Sequence, residues 1–597
     1  MNSVANFFQT ALKVCFVILW ALIGCKPSVE STDEQREIAP PNVVLVITDD
    51  QGYGDLKVNG NPWIETPVMD QLSRSGAKFD RFYVSPVCAP TRASLLTGRY
   101  YLRTGTTWVT HRKEVMRSEE VTMAEVFKAA GYATGIFGKW HNGAQYPNDP
   151  LGQGFDEFFG FSAGHWNNYF NTALTHNGNT VKTKGYINDV LTDEALKFIS
   201  KNRNNPFLCY LPYNTPHGPF QLPDTYFEKY KAKGLNDKDA SVYGMCENLD
   251  DNIGRVLDHL DSLYLTDNTI FVFLTDNGPN GERYNDGMKG WKGHIDEGGV
   301  RVPLYIRWPG KIAPETLVTP ITAHIDLLPT LVDLCQVQMP SELQLDGRSL
   351  KPLLFDTGSD WPERNIYTVK AGRTIGPIGA LRNQQYRMVL KQDQVPQLYD
   401  MIVDPGQQND LKDSLPELAE GLRTEFINWF DQVRPTEQTA PAIPVGHSEQ
   451  PLVELPAPAA TLSRGLAFKG KMGWANDWIT QWQQSGDSIS WQIYVNETAE
   501  FDFEMLYTCP EADLGALIEI VSGENSVSKI VTQSHDPDPF PSPDRIPRGE
   551  VYEKQWAVLE VGRMRLQSGP QTLLLQAKAI SGQQVMELKS LRLRRVN

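Results

Sequence analysis

A chain of 597 residues with 41% apolar side chains carries enough hydrophobic material for two or more domains, a domain typically holding about 100–200 residues. Its formal net charge of −16 argues against a nucleic-acid-binding surface, which should be basic, but not against a small basic pocket for an anion. Seven cysteines, at positions 15, 25, 88, 209, 246, 335 and 509, show neither the density of a disulfide framework nor zinc-ligand spacing. One disulfide stays open, and most of these residues read as small core side chains.

At the N-terminus, Lys13 precedes an apolar run from Val14 to Ile23 that is short for a membrane span. The run ends Leu22-Ile23-Gly24-Cys25 and passes into the polar Lys26-Pro27-Ser28. This resembles the bacterial lipoprotein box, in which the cysteine is acylated after cleavage. The resemblance implies a signal over residues 1–25 with Cys25 lipidated and a linker over 26–40. It also implies an exported protein held by its lipid anchor in the periplasm or at the cell surface. An ordinary secretory signal or a short anchor is the alternative.

Asn42 to Thr48 is a short β-branched run that reads as a fully buried parallel strand, and similar runs recur at Tyr132–Phe137, Phe207–Leu211 and Ile270–Thr275. Between them lie helical patterns at Pro67–Ser75, Thr122–Ala130, Asp189–Lys201 and Tyr243–Leu263. Strands alternating with helices predict an α/β core over residues 41–335 with a central, mostly parallel sheet flanked by helices. Ligands of such sheets sit at the carboxyl ends of strands. Asp49 and Asp50 follow the first strand, and Asp276 and Asn277 follow a later one, so the two pairs should meet.

A smaller α+β subdomain is expected over 336–436, with a strand near Gln385–Lys391 and a helix near Pro416–Val433. Residues 437–462 are rich in Pro and Ala and read as a linker. From 463 to 597, alternating segments at Ser488–Val495, Glu500–Tyr507, Leu517–Val521, Gln571–Ala577 and Val585–Leu593 predict a β-sandwich.

The sharpest motif is Cys88-Ala89-Pro90-Thr91-Arg92, extended by Thr97-Gly98-Arg99. A lone cysteine is more often a buried core residue, but this one has company. Asp49-Asp50-Gln51-Gly52-Tyr53-Gly54-Asp55 and Asp276-Asn277-Gly278 offer carboxylates and an amide oxygen, a hard set suited to Ca²⁺, with Mg²⁺ as runner-up. Gly138-Lys139-Trp140-His141 ends a strand, Pro216-His217-Gly218-Pro219 follows another, and Lys292 lies five residues before Glu297-Gly298-Gly299-Val300-Arg301-Val302-Pro303.

Together these motifs resemble those of the type I, formylglycine-dependent sulfatases, an arylsulfatase-like branch of the alkaline phosphatase superfamily. The resemblance runs from about Asn42 to about Leu411. It includes Asp326-Leu327-Leu328-Pro329-Thr330 and Asp346-Gly347-Arg348. It implies an alkaline-phosphatase-like fold and a sulfuric ester hydrolase whose Cys88 is oxidised to formylglycine by a separate maturation enzyme. It further implies one Ca²⁺ held by Asp49, Asp50, residue 88, Asp276 and Asn277, with Asp55 structural. Lys139 and Lys292 would hold sulfate oxygens and Arg92 would orient the aldehyde. His217 would protonate the leaving oxygen, with Lys292 nearby, and His141 would take the proton that lets sulfate depart, while Asp276 is the expected base. The family serine that assists sulfate binding has no clear counterpart; His165 to Asn168 occupy that region.

The resemblance, the lipoprotein signal and the sandwich together imply a substrate of sulfated carbohydrate, polysaccharide-derived, with sugar contacts expected from the loops at Thr110–Glu114, Gly164–Asn171 and Pro279–Lys289. His165, Asn168 and Arg283 are the candidates. Two competing readings keep the fold: hydrolysis of phosphonate monoesters or phosphodiesters, and a degenerate domain that only binds glycan. The degenerate domain should have lost its nucleophile or a metal ligand, and neither is lost here. The sandwich, with Trp474, Trp478, Trp482 and Trp491, is either a carbohydrate-binding module or a structural domain with tryptophan in its core.

Overall fold

The computed structural model describes residues 40–355, 361–437 and 439–596. The N-terminal apolar run and Cys25 lie outside these residues. Among the described residues, no helix is long and apolar enough to cross a membrane.

The core is an 11-stranded sheet. β1 (Asn42–Asp49) lies at its centre, buried along its whole length because helices cover both faces. In chain order follow β2 (Ala77–Tyr83), β3 (Ala133–Lys139), β4 (Glu157–Phe161), β5 (Ala173–His176), β6 (Asn179–Lys182), β7 (Phe207–Pro216), β8 (Thr269–Thr275), β9 (Arg301–Arg307), β10 (Thr316–Val318) and β11 (Thr322–Ala323). The order is β10-β2-β9-β8-β1-β7-β3-β4-β5-β6, with β11 also on β2. The five strands from β8 to β4 run parallel. β9 is antiparallel to both its neighbours, and β5 and β6 close the far edge as a hairpin. The sheet is therefore mixed, with a parallel centre.

The helices start where the sequence signals them. α1 (Pro67–Arg74) has proline at its first position, where no N–H is needed. α2 (Cys88–Thr97) ends at Gly98 in the left-handed conformation. α3 (Met123–Ala129) opens on a reciprocal capping box between Thr122 and Glu125. α4 (Ile187–Lys201) and α5 (Asp224–Lys231) precede α6 (Asp237–Ser262), whose first turn is capped by Asn236. One hydrophobic cluster, with Val43, Leu45, Ile47 and Phe127, lies on one face of the sheet. A second, with Val44, Val46, Phe198 and Leu249, lies on the other, as period-two alternation along β1 requires.

A four-stranded antiparallel sheet, β12 (Ile366–Val369), β13 (Gly379–Arg382), β14 (Tyr386–Leu390) and β15 (Pro396–Asp400), packs on α7 (Pro416–Val433) through Leu381, Met388, Leu398 and Phe426. Two six-stranded sheets then form a sandwich. Strand Ser488–Val495 matches the expected bounds, and Ala499–Thr508 and Gly569–Ala579 extend theirs by a residue or two at each end.

The stretch expected to be a linker is part of this sandwich. Ile443–Val445 pairs with Ser488–Val495, and Leu452–Pro456 pairs with Glu587–Val596. Pro and Ala mask the alternation there, but Ile443, Val445, Val453 and Leu455 are buried. Proline is tolerated on a sheet edge, where its missing N–H is not needed. Of the four tryptophans, Trp478, Trp482 and Trp491 are buried and Trp474 is half-buried, a core arrangement rather than an exposed aromatic platform. Cys88, Cys209, Cys246, Cys335 and Cys509 are buried free thiols.

Candidate active site

The carboxyl ends of β1, β3, β7 and β8 converge on the N-terminus of α2, as expected for a parallel sheet. Asp49 ends β1, and Asp50 follows it with φ 67°. His141 likewise has φ 66°. Left-handed backbone costs a non-glycine residue about 1–2 kcal/mol, and such strain concentrates at functional sites.

Cys88 is the first residue of α2, and Arg92 lies one turn on, so both occupy one helix face. The turn before Cys88 is held by Thr91, whose hydroxyl accepts from Ser85 N at 3.1 Å and lies 3.2 Å from Ser85 O. The Arg92 guanidinium donates to Asp276 Oδ2 through Nε at 3.2 Å and Nη2 at 2.8 Å, and to the Lys139 carbonyl at 3.1 Å. Lys139 Nζ lies 2.5 Å from Asp49 Oδ2, and Lys292 Nζ lies 2.6 Å from Asp50 Oδ1. Three buried carboxylates thus face three cationic side chains.

That charge balance decides what the site accommodates. Burial pushes the Asp49 carboxyl up, but Lys139, His217 and Arg92 outweigh it and hold it below the usual carboxylate range. Burial of Asp50 is likewise overcome by Lys292 and His217. Asp276 goes the other way: burial and the Asp49 charge push it up to about 7. Burial also raises the Cys88 thiol. Burial works against the Lys292 charge, yet Asp50 more than restores it.

A divalent cation fits this donor set. Asp49 Oδ1 and Asn277 Oδ1 are buried without a hydrogen-bond partner, an arrangement that is costly unless something else satisfies them. Ligand atoms of Asp49, Cys88 and Asp276 lie within 4.8 Å of one another, close enough to share one ion. Asn277 Nδ2 donates to Asp50 Oδ1 at 2.9 Å, which turns its carbonyl oxygen the other way. With the carboxylates already matched by Lys139, Lys292 and Arg92, such an ion would leave surplus positive charge for an anion.

The two histidines are set in opposite senses. His141 Nε2 lies 2.9 Å from the Val109 carbonyl, so this nitrogen carries the proton. Burial and Lys139 hold the ring neutral, its pKa well below the ordinary value. Its Nδ1 is then a buried lone pair with no partner. His217 Nδ1 donates to Gly218 O at 2.7 Å, which leaves Nε2 to face the site, 3.8 Å from Asp50 Oδ2.

Of the expected sugar contacts, His165 is buried, with its ring parallel to His217 at 6.3 Å and its Nε2 without a partner. Asn168 is half-buried beside it. Arg283 is placed otherwise. Its side chain is 2% exposed and is committed to Asp55, with Nε 2.7 Å from Oδ1 and Nη2 2.5 Å from Oδ2, and to the Asp50 carbonyl at 2.9 Å. Geometry makes it the clamp of the Asp50–Asp55 loop instead of a sugar contact. Arg283→Ala is therefore expected to destabilise the protein by about 3–5 kcal/mol, because Asp55 is left buried and unpaired. Denaturant unfolding checks this; a raised KM at unchanged stability would restore the sugar-contact role.

Sequence reasoning passed over three residues. Asn280 donates to Asp50 Oδ2 at 3.0 Å. Asn142 donates to Ala89 O at 3.1 Å, and His324 lies 3.2 Å from Ser85 Oγ, so both brace the approach to Cys88. Asn280 had a signal, three residues after Asn277; His324 had none, since its partner is 239 residues away. Two glycines show how tightly the motifs meet. A Cβ on Gly278 would lie 2.0 Å from Gly298 O, and one on Gly164 would lie 2.5 Å from His141 Nε2.

Residues 41–337 match the family model described as Sulfatase, and residues 287–429 match the one described as N-sulphoglucosamine sulphohydrolase, C-terminal. The chain is 30% identical over 437 residues to an ulvan-active sulfatase of Formosa agariphila, covering 67% of this chain and 83% of that one. It is 30% identical over 456 residues to arylsulfatase A of Bos taurus, covering 64% of this chain and 85% of that one. Among solved structures, Ps i-CgsB in complex with k-i-k-neocarrahexaose aligns with a TM-score of 0.62 at 30% identity, over 65% of this chain and 92% of that one. The sandwich, from Ile443 onward, lies beyond both family matches.

Proposed function

The chain belongs to the sulfatase family and is a sulfatase enzyme, and from that premise we propose that it removes sulfate from a sulfated glycan at Cys88, matured to formylglycine beside a Ca²⁺ ion. The observation that carries this reading is the convergence of Cys88, three carboxylates and the Asn277 amide with Lys139, Lys292, His141 and His217 at one end of the sheet. The glycan is favoured by relatives whose names specify ulvan and N-acetylgalactosamine 6-sulfate groups, and by the carrageenan-type oligosaccharide bound to Ps i-CgsB.

Hydrated formylglycine supplies paired hydroxyls, one to attack sulfur and one to let the enzyme release sulfate. Asp49, Asp50, Asp276 and Asn277 would hold the Ca²⁺, which would supply positive charge beside the nucleophile and so favour its ionised form. Lys139 and Lys292 hold the remaining sulfate oxygens in a preorganised field that costs no reorganisation during the reaction. Arg92 fixes the Asp276 carboxylate and the Lys139 backbone together. His217 Nε2 delivers a proton to the departing sugar oxygen, and His141 Nδ1, the unpartnered lone pair, accepts one in the release step. On the same reading residues 1–25 direct export, Cys25 is lipidated, and the protein works in the periplasm or at the cell surface.

The test is mass spectrometry of the peptide holding residue 88, from protein made in its native host, alongside sulfate release from ulvan- and carrageenan-derived oligosaccharides. An aldehyde in place of the thiol, with sulfate released, is the expected result. An unmodified thiol with full sulfate release would overturn the mechanism.

A further inference from the structure

Residues 531–556 join two strands of the sandwich, Asn525–Ile530 and Ala557–Leu566, with no helix or strand of their own apart from one bridge between His535 and Cys509. Five prolines between Pro537 and Pro547 stiffen the segment. It leaves the sandwich and lies against the catalytic core, where its contacts gather on the two loops that carry His165 and His217.

Arg545 N donates to Phe220 O at 3.0 Å, and the Arg545 guanidinium reaches Leu222 O at 3.2 Å and also pairs with Asp224. Arg548 forms a two-pronged ion pair with Asp544, Nε to Oδ2 at 2.6 Å and Nη2 to Oδ1 at 2.8 Å. Both side chains are buried, at 3% and 5% exposure, and Arg548 Nη1 also donates to Asn167 O at 2.8 Å. A bidentate pair of this kind is geometrically stiff.

The stiffness is passed inward. Fully buried Gln221 donates through Nε2 to Asp544 Oδ1 at 2.8 Å and Ser542 Oγ at 2.9 Å, and its Oε1 accepts from Tyr169 N at 2.7 Å. The Tyr169 hydroxyl lies 2.9 Å from His217 O and 2.8 Å from Gly218 O. Gly218 O is the same carbonyl that His217 Nδ1 donates to, so the group that orients the imidazole is held in turn by Tyr169. An unbroken series of hydrogen bonds therefore runs from Asp544, on the appended sandwich, to the ring of His217.

We propose that the segment Ser542–Arg548 is a positioning strap for His217, acting through Gln221 and Tyr169, so that the C-terminal sandwich is a working part of the active site. The proposal rests on the reading of His217 as proton donor to the leaving oxygen. Simple docking of two domains would need contacts somewhere on the rim, not buried polar pairs trained on the loops beside one catalytic side chain. Asp544, Gln221 and Tyr169 touch no reacting atom; they act through His217.

Proton donation matters in proportion to how poor the leaving group is. Phenolate needs the proton more than 4-nitrophenolate does, so a displaced donor is read as a widened gap between the two esters. Asp544→Ala and Tyr169→Phe in the full-length protein are compared on phenyl sulfate and 4-nitrophenyl sulfate, with His217→Ala as reference. Each variant is expected to lose roughly 10–100-fold in kcat/KM on phenyl sulfate and far less on 4-nitrophenyl sulfate, following the cost of a misplaced catalytic group. The double variant should be no worse than the poorer single, since both interrupt one path. Activity on 4-nitrophenyl sulfate reports that the variants fold. If His217→Ala shows the selective loss while Asp544→Ala and Tyr169→Phe lose both esters equally, or neither, the strap is overturned and the sulfatase reading stands. If His217→Ala shows no selectivity, the proton-donor reading fails and the strap proposal with it.

Discussion

Cys88→Ser is expected to lower steady-state sulfate release by roughly 10⁴-fold or more while leaving the fold intact. Residue 88 is 3% exposed at the first position of α2, and serine matches cysteine closely in size there. The loss has a chemical cause. A serine hydroxyl can attack sulfur, since Lys139, Lys292, Asp49, Asp50 and Asp276 are unchanged, but it has only one oxygen. Once sulfated it has no second hydroxyl whose proton His141 could take to expel the sulfate. The variant should therefore turn over once and stop, and mass spectrometry should find a sulfated serine at position 88. Turnover within tenfold of wild type would show that residue 88 is not the nucleophile.

Removing the divalent ion is the second large effect. Chelation should reduce sulfate release by roughly 10³-fold or more, because activation of the nucleophile and much of the field on the sulfate are lost together. Ca²⁺ should restore activity, and Mg²⁺ less well, since a site with several protein oxygens suits the larger ion. The protein should stay folded without the ion, as Lys139, Lys292 and Arg92 already pair with Asp49, Asp50 and Asp276. Stability offers an independent readout. An ion present at about 100 times its Kd stabilises the native state by about 2.7 kcal/mol, so the Tm should fall by a few degrees on chelation. Asp49→Asn, which removes one anionic ligand at nearly constant shape, should abolish that dependence of Tm on Ca²⁺. A variant whose Tm still responds to Ca²⁺ as wild type does would place the ion elsewhere.

The order of expected effects follows from where each residue sits. In the proposed mechanism Cys88 and the metal ligands touch the reacting atoms, so their loss is expected to remove chemistry. Arg283 bonds Asp55 and the Asp50 and Asn280 carbonyls, so its loss is expected to appear as stability. Asp544 acts at one remove, and its loss is expected to appear as leaving-group selectivity.

The parallel core was legible because β1, β7 and β8 are continuous apolar runs, and such runs arise when both faces of a strand are covered. The site was legible because its residues come in short motifs at strand ends and at one helix start, where local sequence dictates local geometry: Asp49 and Asp50, Cys88 and Arg92, Lys139 and His141, Asp276 and Asn277. Other features were hidden. The strands at Ile443–Val445 and Leu452–Pro456 were obscured by proline, whose cost depends on whether the strand is central or at an edge, a property of the sheet and not of the segment. Arg283 looked available because a lone arginine in a loop usually is, and its buried partner Asp55 lies 228 residues away. Asp544 and Gln221 are 323 residues apart.

By itself, then, the sequence determined the α/β class, the motifs that make up the candidate site, and the ends of the strands that bring them together. Only the tertiary structure decided which ring nitrogen of His141 and of His217 is taken by a backbone carbonyl, which buried oxygens lack a partner, and that the appended sandwich reaches into the site. Periodicity and motif report a residue's relation to its near neighbours in the chain. Hydrogen-bond satisfaction and buried charge depend on neighbours in space, which for Asp544 include Gln221, 323 residues away in the chain.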